Sequence, residues 1–417
     1  MPPAFFLRGV ANVTIEAIEL FAGAGGLAMG MSRAGVKHRA IVEWNKDACD
    51  TLRRNRNASI SAMKEWPEVI EADVQSIKFS DYAGLDLVAG GPPCQPFSLG
   101  GKHRAYLDQR DMFPSAVRAV REARPRAFVF ENVRGLVRTT FVNYFQYILL
   151  QLEFPDLVLR RGEEWMNHLA RLEKLKTRGS ESEYRVVSRV LNAANFGVPQ
   201  RRERVFIVGV HKSETWEFSF PAETHNQRAL IYSQWISSEY WDRHGVSRKN
   251  RPLLDAAAKR RIDALTDVYP RLLGTPWRTV RDALEGLPDP EITSKRGEAK
   301  NHVLQSGARA YPGHTGSPLD EPAKALKAGD HGVPGGENML RHPDGSVRYF
   351  TVRESARIQT FPDDFTFSGS WTESMRQLGN AVPVDLAACV AQQLSVKLRN
   401  SRRGSASAQR NSQPQAT

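Results

Sequence analysis

The chain is poor in cysteine and contains no long run of apolar residues. Among its 417 residues are three cysteines, Cys49, Cys94 and Cys389, and none belongs to a Cys-x-x-Cys pair. A cysteine-rich zinc site and a disulfide framework are therefore excluded, and a reducing compartment is expected. No apolar stretch reaches the roughly 18 residues of a membrane helix, and the N-terminal run is too short for a signal peptide. We expect a soluble, cytoplasmic protein with no membrane partner and no bound metal.

Acidic residues are also in deficit. Lysine and arginine number 58 against 46 aspartates and glutamates, which gives a formal net charge of +12. A basic balance makes a polyanion the first partner to consider, although charge alone does not select one. The segment 397–417 has only basic charges and little apolar surface, so it is predicted to be a disordered basic tail.

Short apolar runs alternate with amphipathic stretches from residue 14 to residue 215. This alternation predicts an α/β fold with a parallel sheet and crossover helices. The predicted strands are 15–20, 40–43, 85–89, 127–130, 188–193 and 204–210.

A charged insertion at 153–183 interrupts this region. Trp165, Leu169 and Leu172 fall on one side of a helical period, with Met166 and Leu175 as further candidates for the same face. We predict a helix packed on the core through that face.

Residues 216–348 have a different character from the rest of the chain. They are rich in glycine and proline, contain scattered aromatic residues and show no long helical period. A second, smaller and irregular domain is predicted here. Helical patterning returns at 351–359 and 384–394, so residues 349–396 are predicted to rejoin the first domain.

The first strand runs into a glycine-rich turn and then a helix. Residues 23–28 match G-x-G-x-x-A, which is typical of nicotinamide dinucleotide sites and suits other adenosine-containing cofactors equally. Glu43 ends the second strand, where an acid can bind ribose hydroxyls, and the indole of Trp44 can cover an adenine ring. Asp73 and Val74 offer an acceptor for the adenine amino group. Nothing else in the chain indicates a nicotinamide or a pyrophosphate.

Cys94 follows the apolar strand 85–89 directly, in the sequence Gly90-Gly91-Pro92-Pro93-Cys94. The two prolines place its thiol in a loop, because proline cannot donate to a central sheet. A thiol at a strand end is a candidate nucleophile, although a cysteine among apolar residues is more often structural. Cys49 and Cys389 match no catalytic pattern and are predicted to lie in the core.

Six blocks of the sequence resemble the cytosine-C5 DNA methyltransferases of the bacterial restriction-modification or orphan type. The blocks are Glu19–Leu27 (ELFAGAGGL), Gly91–Ser98 (GPPCQPFS), Phe130–Val133 (FENV), Gly197–Arg204 (GVPQRRER), Thr351–Pro362 (TVRESARIQTFP) and Gly379–Pro383 (GNAVP). They occur in the family's order and span nearly the whole folded chain. The resemblance implies an α/β fold with a Rossmann-like mixed sheet and helices on both faces. It makes 14–215 and 349–396 a catalytic domain and 216–348 a target-recognition domain.

The resemblance implies transfer of a methyl group from S-adenosylmethionine to C5 of a flipped-out cytosine in a specific double-stranded DNA sequence. C5 is too electron-poor to attack a methyl sulfonium, so a nucleophile must first add at C6. The family's pattern makes Cys94 that nucleophile and puts Glu131 at N3 and Arg202 at O2 of the base. Arg204 would orient the base and the carboxylate.

The resemblance also implies two sets of binding residues. The cofactor contacts are Phe21, Gly23, Gly26, Leu27, Glu43, Trp44, Asp73, Val74, Gly91, Pro93, Met112, Asn380 and Val382. The DNA contacts are Gln95, Ser98, Lys102 and Arg104 on a loop predicted to close over the DNA, with Lys324, Lys327, His331, Asn338 and Arg341 in the target-recognition domain. One departure is that Ala325-Leu326 stands where the family has a threonine followed by an aliphatic residue.

Three alternatives were weighed against this interpretation. A tRNA cytosine-C5 methyltransferase shares the fold but has a Cys-Phe-Thr motif, and this chain has no cysteine between Cys94 and Cys389. An inactive DNA-binding homologue conflicts with the intact Cys94, Glu131 and Arg202. A dehydrogenase leaves the Pro-Cys and Glu-Asn-Val blocks unexplained. We expect a monomer that works on the DNA of the nucleoid, with pairing to a restriction endonuclease left open.

Overall fold

The computed structural model describes residues 13–58, 60–93, 111–254, 256–265, 273–291, 299–328 and 336–411. Within these residues the central feature is a seven-stranded sheet. Its strands are β1 (Ile15–Leu20), β2 (Val36–Glu43), β3 (Val69–Glu71), β4 (Leu87–Gly90), β5 (Ala127–Val133), β6 (Tyr184–Asn192) and β8 (Glu203–His211), while β7 (Gln200–Arg201) lies outside it.

The strand order of the sheet is β3-β2-β1-β4-β5-β8-β6. Every pairing is parallel except those of β8, which runs antiparallel to both β5 and β6. The predicted mixed α/β fold is confirmed, and each predicted strand overlaps an observed one. The short strand β3 was not among the predicted strands, because a strand of three residues leaves almost no pattern to detect.

Helices cover both faces of this sheet. They are α1 (Gly26–Arg33), α2 (Lys46–Asn57), α3 (Phe113–Ala123), α4 (Val142–Glu153), α5 (Trp165–Thr177), α10 (Val352–Ile358), α11 (Trp371–Asn380) and α12 (Val384–Asn411), with α6 (Gln227–Trp235), α7 (Glu239–Arg243), α8 (Ala256–Asp263) and α9 (Val280–Leu284) between α5 and α10.

Alternate residues of β1 face the two halves of the core. Ile18 and Leu20 pack against α3 and α4, while Ile15 and Ala17 pack against α1 and α12. Strands that are buried on both faces read as continuous apolar runs, which is why the sequence reveals them.

The insertion at 153–183 forms α5. Leu169 and Leu172 are buried in the core, and Trp165 and Leu175 pack partly against it. The predicted packed helix is confirmed. Met166 is 48% exposed, so its assignment to the buried face was wrong.

Residues 216–348 contain more regular structure than predicted. In their described part lie the four helices α6 to α9 and the short strands β9 (His225–Asn226), β10 (Thr275–Pro276), β11 (Ser317–Pro318), β12 (Ala323–Lys324), β13 (Met339–Arg341) and β14 (Val347–Tyr349). The helices run for five to nine residues. Such helices complete too few turns to show a period in the sequence, which explains why they were missed.

The predicted disorder from residue 397 is wrong for the first part of that segment. Helix α12 continues to Asn411, and Leu398 is fully buried. Arg399 donates to the carbonyls of Ala34 and Gly35, and Arg402 donates to that of Thr14. Composition does not reveal this docking, because the polar side chains donate hydrogen bonds to backbone carbonyls elsewhere in the fold. The rest of the predicted disorder, at 412–417, lies outside the described residues.

A polar network ties the end of α12 to the edge of the sheet opposite the glycine turn. Asp86 is fully buried, and its Oδ1 lies 2.9 Å from both Arg126 Nη1 and Arg402 Nη2. Ser401 donates a hydrogen bond to Glu214, which also pairs with Arg126. No helix in the described part of the chain is long and apolar enough to span a membrane.

Replacing Leu398 by alanine should destabilise the protein by about 2–5 kcal/mol, because the substitution opens a cavity under the last ordered turns of α12. Denaturant titration or thermal melting measures the effect. Val396→Ala on the same helix is the matched control, since Val396 is 41% exposed. Equal stability of the two variants would contradict the docking of this segment.

Candidate active site

The candidate site lies at the carboxyl edge of β1, β4 and β5. The chain order reverses between β1 and β4, and ligands of open α/β sheets bind beside such a point. The glycine turn follows β1, and Gly91 to Pro93 follow β4. Glu131 lies near the C-terminal end of β5.

The glycine turn has an unusual backbone. Phe21 adopts a left-handed conformation with φ of 56°, a strained state for a side chain of this size, and Gly23 has φ of 53°. A Cβ on Gly23 would meet nothing within 4 Å, so the space beside this residue is open. A Cβ on Gly26 would lie 2.2 Å from the carbonyl oxygen of Val382, so only glycine permits this approach. Leu27 is buried in the first turn of α1.

Glu43 joins the glycine turn to the end of β2. Its Oε2 accepts a hydrogen bond of 2.7 Å from the Gly23 amide, and its Oε1 accepts from the amides of Trp44 and Asn45. The carboxylate is buried, and Oε2, which accepts one hydrogen bond, keeps a second lone pair for a hydroxyl group. The indole of Trp44 is 71% exposed at this edge, which leaves its face available for stacking.

The other predicted cofactor residues surround the same edge. Asp73 caps the short turn after β3 by accepting from the Gln75 amide, and Val74 is buried behind it. The Met112 amide donates to the Pro93 carbonyl at 2.9 Å, which links the loop after β4 to the start of α3. Asn380 is exposed at the end of α11, followed closely by Val382. The structure thus brings the described members of this predicted set to one edge of the sheet.

Glu131 and Arg204 form an ion pair. Arg204 Nε lies 2.8 Å from Glu131 Oε1, and the two side chains are 12% and 7% exposed. Burial raises the pKa of Glu131 above its ordinary value, and the nearby Arg204 and Arg202 oppose this shift. The carboxyl group is therefore suited to holding a proton and sharing it with a ring nitrogen. Gly91 passes beside it, and a Cβ there would lie 3.4 Å from Glu131 Oε2.

Arg202 does not face the site as predicted. Its side chain is fully buried, and its guanidinium donates to the carbonyls of Leu326, Gly379 and Ala381. A guanidinium committed to three carbonyls cannot also reach O2 of a base, so this assignment was wrong. The sequence could not distinguish Arg202 from Arg204, because the two arginines lie two positions apart in one basic block and only their partners in the folded structure differ.

Two residues of the recognised blocks have positions that the sequence did not assign. The Asn132 side chain donates to the Pro92 carbonyl at 2.8 Å and so fixes the backbone that leads to Cys94. Gln200 is fully buried and accepts a hydrogen bond from the Leu326 amide. Their place beside Glu131 and Arg202 in those blocks was the available signal.

Several predicted residues lie outside the described part of the chain. They are Cys94, Gln95, Ser98, Lys102, Arg104 and His331. The predicted closing loop at 95–110 lies outside it as well. Among the described residues there is no group of three or more His, Cys, Asp or Glu side chains that could hold a metal.

The described DNA-contact candidates differ in their exposure. Lys327 is exposed, with its Nζ 2.9 Å from Glu337 Oε1, and Arg341 is exposed at the end of β13. Lys324 is half-buried and its Nζ donates to Thr315. Asn338 is buried and bonds both the amide and the carbonyl of Lys327. Its assignment as a DNA contact was wrong, because both ends of its amide are used within the protein.

The two other cysteines are structural, as predicted. Cys49 is fully buried, and burial raises the pKa of its thiol to about 12. Cys389 packs partly against the core, and burial raises the pKa of its thiol too. Neither is suited to act as a thiolate.

Comparison with known proteins decides the family. The model of the C-5 cytosine-specific DNA methylases matches residues 15–156 and 164–396. The chain belongs to the C-5 cytosine-specific DNA methylase family. It is a DNA cytosine-C5 methyltransferase, and the tRNA alternative has less support.

Curated relatives agree with this family, and solved structures share the fold. The chain is 32% identical to the Type II methyltransferase M.Eco47II of Escherichia coli, over 91% of this chain and 79% of that one. It is 31% identical to the Type II methyltransferase M.NgoMIV of Neisseria gonorrhoeae, over 92% and 97%. The fold is similar to the crystal structure of the S. pombe Dnmt2 methyltransferase, with a TM-score of 0.53, 17% identity, and coverage of 93% of this chain and 99% of that one.

Glu131→Gln should change how stability depends on pH. Burial raises the pKa of Glu131 in the folded state, so its stabilising proton is fully present below the ordinary value of 4.5 and is lost as pH rises through the raised pKa. Glutamine cannot ionise. The melting temperature of Glu131→Gln relative to the native protein should therefore increase as pH rises above 4.5.

Thermal melts of both proteins across this range measure that difference. Glu203→Gln, which removes a half-buried neighbouring carboxylate that pairs with Arg134, controls for the loss of an ion pair. A difference that falls with rising pH would show that the ion pair with Arg204, and not burial, dominates the titration of Glu131.

Proposed function

We propose that the protein methylates C5 of a flipped-out cytosine within a specific double-stranded DNA sequence, with S-adenosylmethionine as the methyl donor. The observation that carries this proposal is the buried Glu131–Arg204 pair beside the Pro92-Pro93 segment that leads to Cys94. A carboxyl group and a guanidinium side by side match N3 and O2 of a cytosine ring.

The residues at the ends of β1 and β2 fit S-adenosylmethionine. The open space at Gly23 admits a ligand close to the backbone, and the exposed indole of Trp44 can stack on adenine. Glu43 would accept a hydrogen bond from a ribose hydroxyl, while Asp73 and Val74 would offer an acceptor to the adenine amino group. Phe21, Gly26, Leu27, Gly91, Pro93, Met112, Asn380 and Val382 complete the proposed contacts. When bound, S-adenosylmethionine supplies the electrophilic methyl group that the activated C5 accepts.

The protein's own groups would activate the base. The Cys94 thiolate forms a bond to C6, and the electrons displaced from the ring move onto N3 and O2. Glu131 gives its proton to N3, and Arg204 stabilises the charge at O2. Arg204 takes this role in place of Arg202, because it contacts Glu131 at the edge of the site. After methylation N3 returns its proton to Glu131 and a water molecule takes the C5 proton. The electrons of the broken C5–H bond restore the C5–C6 double bond, the C6–sulfur bond breaks and the thiolate is released.

The DNA would bind between the two proposed domains, a catalytic domain at 14–215 and 349–396 and a target-recognition domain at 216–348. Flipping the cytosine out of the duplex costs a few kcal/mol, which contacts to the backbone and bases offset. Lys324, Lys327, His331 and Arg341 are the proposed contacts in the second domain. Gln95, Ser98, Lys102 and Arg104 are the proposed contacts beside Cys94.

The proposed biological role follows from the curated relatives, which are named Type II methyltransferases. Methylation by this chain would protect host DNA from a partner restriction endonuclease. We propose that it acts as a cytoplasmic monomer bound to the nucleoid.

Cys94→Ala should abolish methyl transfer to plasmid DNA while leaving the dissociation constant for S-adenosylmethionine nearly unchanged, because only the covalent step is removed. Sequencing of 5-methylcytosine in the plasmid measures activity and reports the target sequence. Cys389→Ala is the matched control and should stay active. Turnover by Cys94→Ala, or transfer to tRNA in place of DNA, would contradict the proposal.

Trp44→Ala should weaken cofactor binding by about 1–3 kcal/mol, the usual contribution of an aromatic ring stacked on a base. Calorimetric titration with S-adenosylhomocysteine measures the dissociation constant. Trp44→Phe retains an aromatic face and should recover most of the affinity. An unchanged constant in Trp44→Ala would remove the stacking role.

A further inference from the structure

The backbone of Leu326, in the proposed second domain, is bound by the side chains of Gln200 and Arg202. Gln200 Oε1 accepts a hydrogen bond of 3.0 Å from the Leu326 amide, and Arg202 Nη1 donates at 2.8 Å to the Leu326 carbonyl. Strand β12 pairs with β7 immediately before this point, with Ala323 opposite Gln200. The Leu326 residue is therefore fixed at both of its backbone polar groups.

The next residue is held in the same manner from the other side. Asn338 Oδ1 accepts from the Lys327 amide, and Asn338 Nδ2 donates to the Lys327 carbonyl, both at 3.0 Å. Asn338 is 1% exposed. The backbone of Lys327 is thus rigid while its charged side chain stays exposed beside Glu337. A rigid backbone that presents an exposed cation is what a contact to DNA needs.

Arg202 also binds the backbone at the C-terminal end of α11. Its Nη2 donates to the carbonyl of Ala381 at 3.0 Å and to that of Gly379. The backbone of Lys327 and Ala328 packs directly against Gly379. A Cβ on Gly379 would lie 2.2 Å from the Ala328 amide nitrogen. One guanidinium therefore joins residues 326–328 to residues 379–381.

The contacts continue from there to the glycine turn. Val382 follows Ala381, and its carbonyl oxygen lies 2.2 Å from the position that a Cβ on Gly26 would take. A displacement of 379–382 would therefore be felt both at the first turn of α1 and at Leu326. Close packing of this kind transmits small shifts because the interior has little free volume.

The chemistry of Arg202 argues against a role in packing alone. Its cation is fully buried and faces three neutral carbonyls, while its Nε has no hydrogen-bond partner. Burying a charge in this way costs free energy, and an apolar side chain of similar size would pack at lower cost. Lysine could not span the three carbonyls, because it lacks the planar fork of the guanidinium.

We propose that Arg202 is a positioning residue that couples cofactor binding to DNA recognition. A cofactor bound beside Gly26 and Val382 restricts the backbone motion of residues 379–382. Arg202 hydrogen-bonds this segment and Leu326 together, so the backbone of Leu326 and Lys327 is restricted as well. Linkage requires the reverse effect as well, so bound DNA strengthens cofactor binding by the same factor. This inference rests on the proposed function of the site.

The test measures the dissociation constant of S-adenosylhomocysteine by calorimetry, alone and with a saturating short duplex that carries one mapped methylation site. For the native protein we expect binding to be tighter with the duplex, by about 5- to 150-fold. For Arg202→Lys the ratio should fall close to one. A defect that was only structural would weaken binding in both titrations and leave the ratio as it was.

Two further variants sharpen the result. Asn338→Ala frees the Lys327 backbone on the recognition side, so it should lower the ratio while leaving cofactor affinity without DNA at the native level. Arg204→Lys changes the neighbouring buried arginine, which does not contact residues 379–381, so it should impair methyl transfer and keep the ratio.

Any of three results overturns the inference: a native protein whose ratio is one, an Arg202→Lys variant with the native ratio, or an Asn338→Ala variant with the native ratio. The Asn338→Ala result decides the matter if Arg202→Lys fails to fold. A native protein that methylates the duplex but shows no coupling refutes this inference alone. A native protein that neither binds nor methylates the duplex contradicts the proposed function instead.

Discussion

The ion pair between Glu131 and Arg204 depends on the register of β5 and β8, and the rest of the site is arranged around it. In the antiparallel pairing Val133 lies opposite Arg204 and Glu131 lies opposite Phe206. Glu131 and Arg204 are therefore diagonal neighbours on one face of the sheet. A shift of one residue would turn Arg204 to the other face, and the carboxyl group would remain buried without its cation. The single antiparallel strand of the sheet core thus places acid and cation together.

The two arginines of the Gln200–Arg204 block illustrate how environment divides similar residues. Arg204 contacts a carboxylate at the edge of the site, whereas Arg202 is surrounded by backbone carbonyls of two distant segments. Both cations are buried, and burial lowers the pKa of each. What separates them is the partner that each one binds: the carboxylate of Glu131 for Arg204, and the backbone carbonyls of Leu326, Gly379 and Ala381 for Arg202.

Much of the fold was predictable because the buried strands are short apolar runs with clear ends. Strand β1, the glycine turn and Glu131 at the end of β5 could all be found in this way. The α7 and α9 helices could not, since five residues show no period. Asn338 also escaped prediction, because a polar residue among glycines gives no sign that both ends of its amide bond the backbone of Lys327. The docked end of α12 was missed because its contacts are hydrogen bonds and one leucine rather than an apolar stripe.

The sequence by itself determined the family and singled out Glu131 as the candidate acid, because these depend on residue types at fixed short spacings. Only the tertiary structure decided which arginine joins that acid and which one binds Leu326, Gly379 and Ala381. Each arginine lies more than 70 positions along the chain from the residues that it binds, and the choice rests on strand register and on burial. Neither property can be read from spacing, because both arise when distant segments pack together.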